Sequence, residues 1–171
     1  MIRITAGEWK GRGLATPPNL ETRPTQARLR QALFNSIQFQ VADAKVLDLF
    51  AGSGSLSFEA LSRGAAEAVL IENHRAAVEA IKKNIRELAA GDRAKLIAED
   101  VTKGIPMAAR FGPFDLVLAD PPYAEDWEAK LLDGTDWASL LAPEGLFLLE
   151  WGKLKSKIES VPDQTAHLEK I

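Results

Sequence analysis

The run Lys45-Val46-Leu47-Asp48-Leu49-Phe50, which breaks into Ala51-Gly52-Ser53-Gly54-Ser55-Leu56, constrains this chain more than any other stretch. An apolar strand that ends in a glycine turn and restarts as a helix, Leu56 to Arg63, reads as the first βα unit of a nucleotide-binding fold. The glycines let backbone approach a ligand closely, and the helix start offers unbonded N–H groups to a carboxylate or phosphate. A third glycine three positions after Gly54 would complete the dinucleotide fingerprint. Ser57 stands there, which disfavours NAD. Asp48 at the strand's end would repel a pyrophosphate but could pair with an ammonium group. The pattern therefore favours an amino-acid conjugate of adenosine.

Further apolar runs repeat the theme. Ala68-Val69-Leu70-Ile71 closes on Glu72, Ala94-Lys95-Leu96-Ile97-Ala98 on Glu99-Asp100, and Phe114-Asp115-Leu116-Val117-Leu118-Ala119 on Asp120-Pro121-Pro122-Tyr123. Any one of these acids reads equally well as a solvated strand-end carboxylate. Their recurrence at successive strand ends favours a shared crevice, with Glu72 placed for ribose hydroxyls and Asp100 for an adenine amine. The Asp-Pro-Pro-Tyr turn is the most chemical of the four. Two prolines fix their own φ and donate no N–H, leaving carbonyl acceptors beside a carboxylate and an aromatic ring. That set suits an exocyclic base amine, although a plain strand-terminating turn remains the simpler alternative. Strands near 94–98, 114–119 and 145–150 alternate with helices near 74–90 and 127–141. This alternation predicts an α/β, Rossmann-like parallel sheet covered on both faces.

Residues 1–18 read as a hairpin with Gly7, Gly11 and Gly13 at its turns, closed by Pro17-Pro18. Thr25 is expected to cap a helix in which Leu29, Leu33 and Ile37 face the core while Arg28, Arg30 and Asn35 stay freer. The net charge of −3 is unevenly spread: residues 1–30 carry +4 and the remainder −7. Such asymmetry favours a basic arm on phosphates (Arg3, Lys10, Arg12, Arg28, Arg30) beside an acidic pocket, against the plainer reading of a solvated hairpin. Trp9 lies among these cations and could touch RNA, whereas Trp127, Trp137 and Trp151 read as core or rim packing.

With 171 residues and 46% apolar content the chain can bury one core, and no run approaches the roughly 20 apolar residues of a membrane span. A single soluble, cytoplasmic, monomeric domain is expected. The absence of cysteine excludes disulfides, thiolate metal sites and covalent cysteine catalysis. With only two histidines, His74 and His167, composition argues against a histidine metal centre, so no metal is expected.

Taken together, Asp48 to Gly54, Glu72, Asp100 and Asp120 to Tyr123 resemble the motif series of S-adenosylmethionine-dependent amino-methyltransferases acting on nucleic acid. Arg3-Ile4-Thr5-Ala6-Gly7, Lys10-Gly11-Arg12, Thr22-Arg23-Pro24-Thr25, Arg28 to Asn35 and Glu59 to Ala65 narrow the resemblance to the bacterial 16S rRNA guanine-N2 methyltransferase family, RsmD-type. The resemblance runs from the first residues to about Glu150. It implies methylation of one guanine's exocyclic amine in 16S rRNA, with the small subunit or its assembly intermediate as partner. S-adenosylmethionine would be the cofactor and S-adenosylhomocysteine the product. It also implies residue roles: Asp120, Pro121, Pro122 and Tyr123 catalytic; Asp48, Phe50, Ala51, Gly52, Ser53, Gly54, Glu72, Asn73, Asp100, Val101 and Asp120 around the cofactor. Thr22, Arg23, Pro24 and Thr25 would close over its methionine end, with Arg23 equally placed for an RNA phosphate. Residues 1–40 would form an RNA-contacting extension and 41–171 the cofactor-binding core.

The family usually continues past the fifth strand with a helix and two further strands, so the resemblance leads to the expectation that this sequence lacks the last edge strand. Three other functions compete: a DNA adenine-N6 methyltransferase, a small-molecule methyltransferase, and a non-catalytic ribosome-assembly factor. Only about 30 residues outside the core are available for a DNA target-recognition segment. A small-molecule enzyme would not need the basic arm, and an intact Asp-Pro-Pro-Tyr argues against a vestigial pocket.

Overall fold

A computed structural model describes residues 1–18, 24–122 and 127–149. Two short strands, β1 (Ile2–Arg3) and β2 (Gly13–Leu14), pair antiparallel, followed by α1 (Pro24–Ser36) and α2 (Gln38–Val41). Then come β3 (Lys45–Asp48), α3 (Ser55–Ser62), β4 (Glu67–Ile71), α4 (Arg75–Glu87), β5 (Ala94–Ile97) and α5 (Val101–Ala108). The described chain closes with β6 (Phe114–Ala119), α6 (Trp127–Gly134), α7 (Trp137–Leu140) and β7 (Leu141–Leu149). The five longer strands form one sheet in the order β5-β4-β3-β6-β7, every neighbouring pair parallel.

Strand periodicity sorts the sheet's side chains into two cores. Val46, Ala68, Leu70, Leu116 and Leu118 point to one face, and Leu47, Val69, Ile71, Val117 and Ala119 to the other. The first face is covered by Phe58 and Leu61 of α3, Ile81 of α4, Phe34 of α1 and Val41 of α2. The second is covered by Val101 and Ile105 of α5, Leu131 of α6 and Leu140 of α7. Ile4, Trp9 and Leu14 of the hairpin join the first core, so residues 1–40 share apolar packing with the sheet rather than building a core of their own.

Several local expectations are corrected. Helix α1 already contains Pro24, whose fixed φ suits a first helical turn, so Thr25 lies inside the helix and does not cap it. Leu29 is 56% exposed; the buried side of α1 runs through Arg30 and Phe34 and continues at Ile37 just past its end. Arg30 is thus not free: its Nε lies 3.4 Å from Glu59 and its Nη2 donates to the Arg3 carbonyl at 2.7 Å. Trp9 is buried under the guanidinium of Arg93, 4.8 Å from the ring centroid, and is not presented to a nucleic acid. Gly13 sits in β2 rather than at a turn. The expected helix over 127–141 divides into α6 and α7. Helix α5 went unread because Gly104 and Pro106 both disfavour helix, yet Asp100 caps it and its apolar side is buried. Residues 150–171, where the missing edge strand was expected, lie outside the described residues.

Glu59 is the anchor of the N-terminal segment. It is fully buried, and its carboxylate accepts from the Thr5 hydroxyl at 2.5 Å, the Thr5 N–H at 2.9 Å and Arg63 Nε at 2.8 Å. Burial by itself would raise its pKa, but the Thr5 hydrogen bonds and Arg63 outweigh it and hold the carboxyl below its usual range. Beside it, Gly7 has φ +81°, and a Cβ there would lie 1.8 Å from the Ser62 carbonyl oxygen. That same oxygen accepts the Glu8 N–H at 2.7 Å. Gly7→Ala is therefore expected to undock the hairpin and to cost at least about 3 kcal/mol, read as a lowered urea midpoint. A midpoint within error of the parent would refute this packing.

Candidate active site

The strand order reverses between β3 and β6. Chain progress from β3 runs outward through β4 and β5, and from β6 outward through β7, so the connections diverge and leave a crevice at their carboxyl ends. Asp48 is the last residue of β3 and is paired in register with Leu118 of β6, two residues before Asp120. The topology thus brings together two acids 72 residues apart in the chain.

Asp48 is 1% exposed. The Ser57 hydroxyl donates to its Oδ2 at 2.7 Å, while Oδ1 is buried without a partner. Burial pushes its pKa up to about 7; Ser57 and, more weakly, the Phe50 backbone N–H counter this, and the neighbouring carboxylates of Asp120 and Glu72 add to the rise. Ser57, which stands where a dinucleotide fold would have its third glycine, thus holds one carboxylate oxygen. The other is an acceptor suited to an ammonium donor.

The turn after Asp48 is tied to the adjacent strands. Leu49 N–H donates to the Leu118 carbonyl at 2.9 Å and Ala51 N–H to the Ile71 carbonyl at 3.1 Å. Gly54 has φ +77°, and a Cβ there would fall 2.5 Å from the Phe58 ring of α3 and 3.1 Å from Leu70 of β4, so glycine suits this helix start. Glu72, half-buried just beyond β4, accepts from Gly52 N–H through Oε2 at 2.7 Å and from His74 N–H through Oε1 at 2.7 Å. Its carboxylate therefore shapes the glycine loop as well as facing the crevice. Asp100 Oδ1 accepts from the Thr102 hydroxyl at 2.6 Å and the Thr102 N–H at 2.9 Å, and these bonds hold its pKa below the usual carboxylate value.

A cavity of about 190 Å³ opens among these strand ends, lined by Phe50, Glu72, Asn73, Asp100, Val101 and Pro122. Six of the residues expected at a cofactor site or catalytic turn thus converge on one space. Trp127 also lines it, edge-on to Phe50 at 5.3 Å between centroids. Sequence reasoning took Trp127 for packing; nothing in its spacing shows that it reaches the crevice. Asp120 is exposed at the end of β6, and Pro121 behind it is buried. Tyr123, Thr22 and Arg23 lie outside the described residues, and of Pro24 and Thr25 only the backbone is described, at the start of α1. Of the basic residues, Arg3, Lys10, Arg12 and Arg28 are exposed. Arg3 and Arg12 also brace the fold by donating to the carbonyls of Gly11 at 2.9 Å and Glu87 at 2.6 Å. Among the described residues, no group of three or more His, Asp or Glu side chains is placed to hold a metal ion. None of the described helices is long and apolar enough to cross a membrane.

Sheet order, glycine loop and acidic strand ends define the class of α/β methyltransferases, and solved structures agree. An S-adenosylmethionine-dependent methyltransferase from Agrobacterium tumefaciens superposes with TM-score 0.62 at 25% identity, over 79% of this chain and 47% of that one. The Escherichia coli protein yhhF superposes with TM-score 0.75 at 39% identity, over 94% of this chain and 86% of that one.

The chain belongs to the family described as conserved hypothetical protein 95, the RsmD-type family, whose model matches residues 2–171. It is 37% identical to ribosomal RNA small subunit methyltransferase D of Escherichia coli K12, over 99% of this chain and 84% of the relative. The Haemophilus influenzae protein of the same name is 34% identical over 92% of this chain and 82% of its own length. The resemblance carried by the Asp48–Gly54 and Asp120–Tyr123 motifs is borne out at the level of family and fold.

Glu72→Ala removes the acceptor of Gly52 N–H and a wall of the cavity together. Loss of such a positioning bond is expected to weaken S-adenosylhomocysteine binding by about tenfold or more. Calorimetry showing unchanged affinity would leave Glu72 with a role in shaping the glycine loop alone.

Proposed function

We propose that this protein transfers the methyl group of S-adenosylmethionine to the exocyclic N2 amine of a guanine in small-subunit ribosomal RNA. The observation that carries the reading is the placement of Asp120-Pro121-Pro122 directly across the strand-order reversal from the buried, half-partnered carboxylate of Asp48. The relatives named ribosomal RNA small subunit methyltransferase D supply the substrate class.

In this reading Asp48 Oδ1 holds the ammonium of the cofactor's methionine part, Glu72 and Asn73 face its ribose, and Asp100 and Val101 its adenine. The unpartnered Oδ1 fits that role, because an ammonium would supply both the missing donor and the compensating charge. The resemblance assigns Thr22, Arg23, Pro24 and Thr25 to the methionine end. The bound cofactor supplies an electrophilic methyl on a sulfonium and leaves as S-adenosylhomocysteine.

The chain must do the rest by geometry, because the lone pair of guanine N2 is delocalised into its ring and is a poor nucleophile. Asp120 and the Pro121 carbonyl accept the two N–H bonds of the amine and so aim its lone pair, while Tyr123 stacks on a base removed from its helix. As the N–C bond forms, the nitrogen becomes acidic and one of its protons passes to Asp120 or to water. Orientation and charge stabilisation are thus the first role of Asp120 and proton acceptance the second. Residues 1–40 present Arg3, Lys10, Arg12 and Arg28 to RNA phosphates while 41–171 carry the cofactor. The protein works as a monomer in the cytoplasm on 16S rRNA within the small subunit or its assembly intermediate.

The test is transfer of labelled methyl to unmodified small subunits, naked rRNA and duplex DNA in parallel, followed by nucleoside identification. N2-methylguanosine from subunits or rRNA is expected. N6-methyladenosine in DNA would overturn the substrate, and cofactor binding without transfer would favour an assembly factor.

A further inference from the structure

Helix α4 turns a narrow apolar stripe, Ala77, Val78, Ala80 and Ile81, toward the sheet, and Asn84 continues it. Asn84 is 1% exposed, an unusual burial for a primary amide on a core-facing position. Every polar group of that amide is used. Oδ1 accepts the Ala15 N–H at 2.7 Å, and Nδ2 donates to the Ala15 carbonyl at 3.0 Å and to the Ser53 carbonyl at 3.0 Å. The first two bonds mimic one rung of strand pairing with the end of the hairpin. The third reaches the residue between Gly52 and Gly54.

An apolar residue would fill this place without desolvating an amide, so burial alone does not explain an asparagine. What the amide provides is a fixed length between the hairpin backbone and the glycine loop. Glu72 holds the loop from the other side through Gly52 N–H at 2.7 Å. Two side chains from two different elements thus clamp adjacent loop residues, one by an N–H and one by a carbonyl. Gly52 and Gly54 impose little conformational preference of their own, so these clamps act with the backbone bonds of Ala51 and Gly54 to set the loop's shape.

We propose that Asn84 is a positioning residue for the cofactor: anchored on Ala15, it holds the Ser53 carbonyl and so sets the glycine loop in its ligand-receiving conformation. The inference rests on the methyltransferase reading of that loop. Asn84 touches no reacting atom, and its loss acts on cofactor affinity rather than on chemistry.

Asn84→Ala is expected to weaken S-adenosylhomocysteine binding about tenfold by calorimetry and to raise KM for S-adenosylmethionine by a similar factor. With saturating cofactor, kcat stays within about twofold, because the acceptors at Asp120 and Pro121 are unaltered. Asn84→Asp keeps an acceptor for Ala15 N–H and loses the donor to both the Ala15 and the Ser53 carbonyls. The same loss of affinity is expected from it and from Asn84→Ser, a neutral side chain too short to span both backbones, which keeps the test open if either of the other variants does not fold. Ile81→Val, on the same stripe, lowers stability without touching the loop and should leave affinity unchanged. Full affinity in a folded Asn84→Asp protein, or an equal loss in Ile81→Val, overturns the inference. Failure of the parent protein to bind S-adenosylhomocysteine at all would instead overturn the methyltransferase reading, and this inference with it.

Discussion

Asp120→Ala is expected to lower methyl-transfer turnover by at least about a hundredfold while leaving S-adenosylhomocysteine affinity nearly unchanged, the usual scale for losing a contact made mainly in the transition state. The asymmetry follows from where Asp120 sits. It is exposed beyond the last residue of β6, at the mouth of the crevice, whereas the cavity walls are built by Phe50, Glu72, Asn73, Asp100 and Val101. Its carboxylate also repels that of Asp48 and contributes to raising the latter's pKa. Removing it therefore makes Asp48 easier to ionise, so cofactor affinity near neutral pH should hold or improve slightly. A substantial loss of affinity in Asp120→Ala, matching the loss of turnover, would place Asp120 in the cofactor site and refute its role in holding the amine. Asp120→Asn keeps an acceptor oxygen but not the charge, and its turnover should fall between the two.

Asp48→Asn carries the second large effect, and it has opposite signs for stability and for function. In the folded protein Asp48 titrates at about 7, against 3.8 for an unperturbed aspartate. Between those values the folded chain keeps a proton that the unfolded chain has released. Stability without cofactor therefore falls as pH rises from about 4 to about 7, and this contribution levels off above the folded pKa. Asparagine abolishes that slope. Relative to the parent, Asp48→Asn without cofactor should be about 2 to 4 kcal/mol more stable at pH 8, or several degrees higher in Tm, and nearly matched at pH 4. Its affinity for S-adenosylhomocysteine should nonetheless drop at least about tenfold, because an amide cannot neutralise a buried ammonium. In the parent, ionisation of Asp48 favours the ligand, so binding should tighten from pH 6 to pH 8 and release a proton. Thermal scans at pH 4 and pH 8, with calorimetry in two buffers of different ionisation enthalpy, check all of these. Equal pH slopes for parent and variant would remove Asp48 as the buried titrating group.

Much of the candidate crevice is legible in the sequence, and the legible part has a common physical basis. Asp48, Glu72, Asp100 and Asp120 each follow an apolar run by one or two residues, and in a parallel sheet all such positions share one end. What composition suggested about the N-terminal arm is corrected in detail. Arg30 counts toward the +4 of residues 1–30, yet it is spent inside the protein on Glu59. Trp9 sits among cations because Arg93 stacks on it, with no need of a nucleic acid. Helical spacing placed Leu29 inward, but helix packing rotated α1 so that Phe34 and Arg30 face the core and Leu29 faces water.

Strand endings, turn chemistry and the covering of both sheet faces are local properties, written in runs of four to seven residues, and the sequence by itself determined them. Contacts between residues far apart in the chain were decided only by tertiary structure. The pairing of β3 with β6 sets Asp48 beside Asp120, the approach of α3 to the hairpin makes Glu59 a buried hub, and the packing of α4 lets Asn84 reach Ala15 and Ser53 at once. These separations of 31 to 72 residues leave no periodicity to read, because what brings such residues together is the burial of apolar faces elsewhere along the same elements.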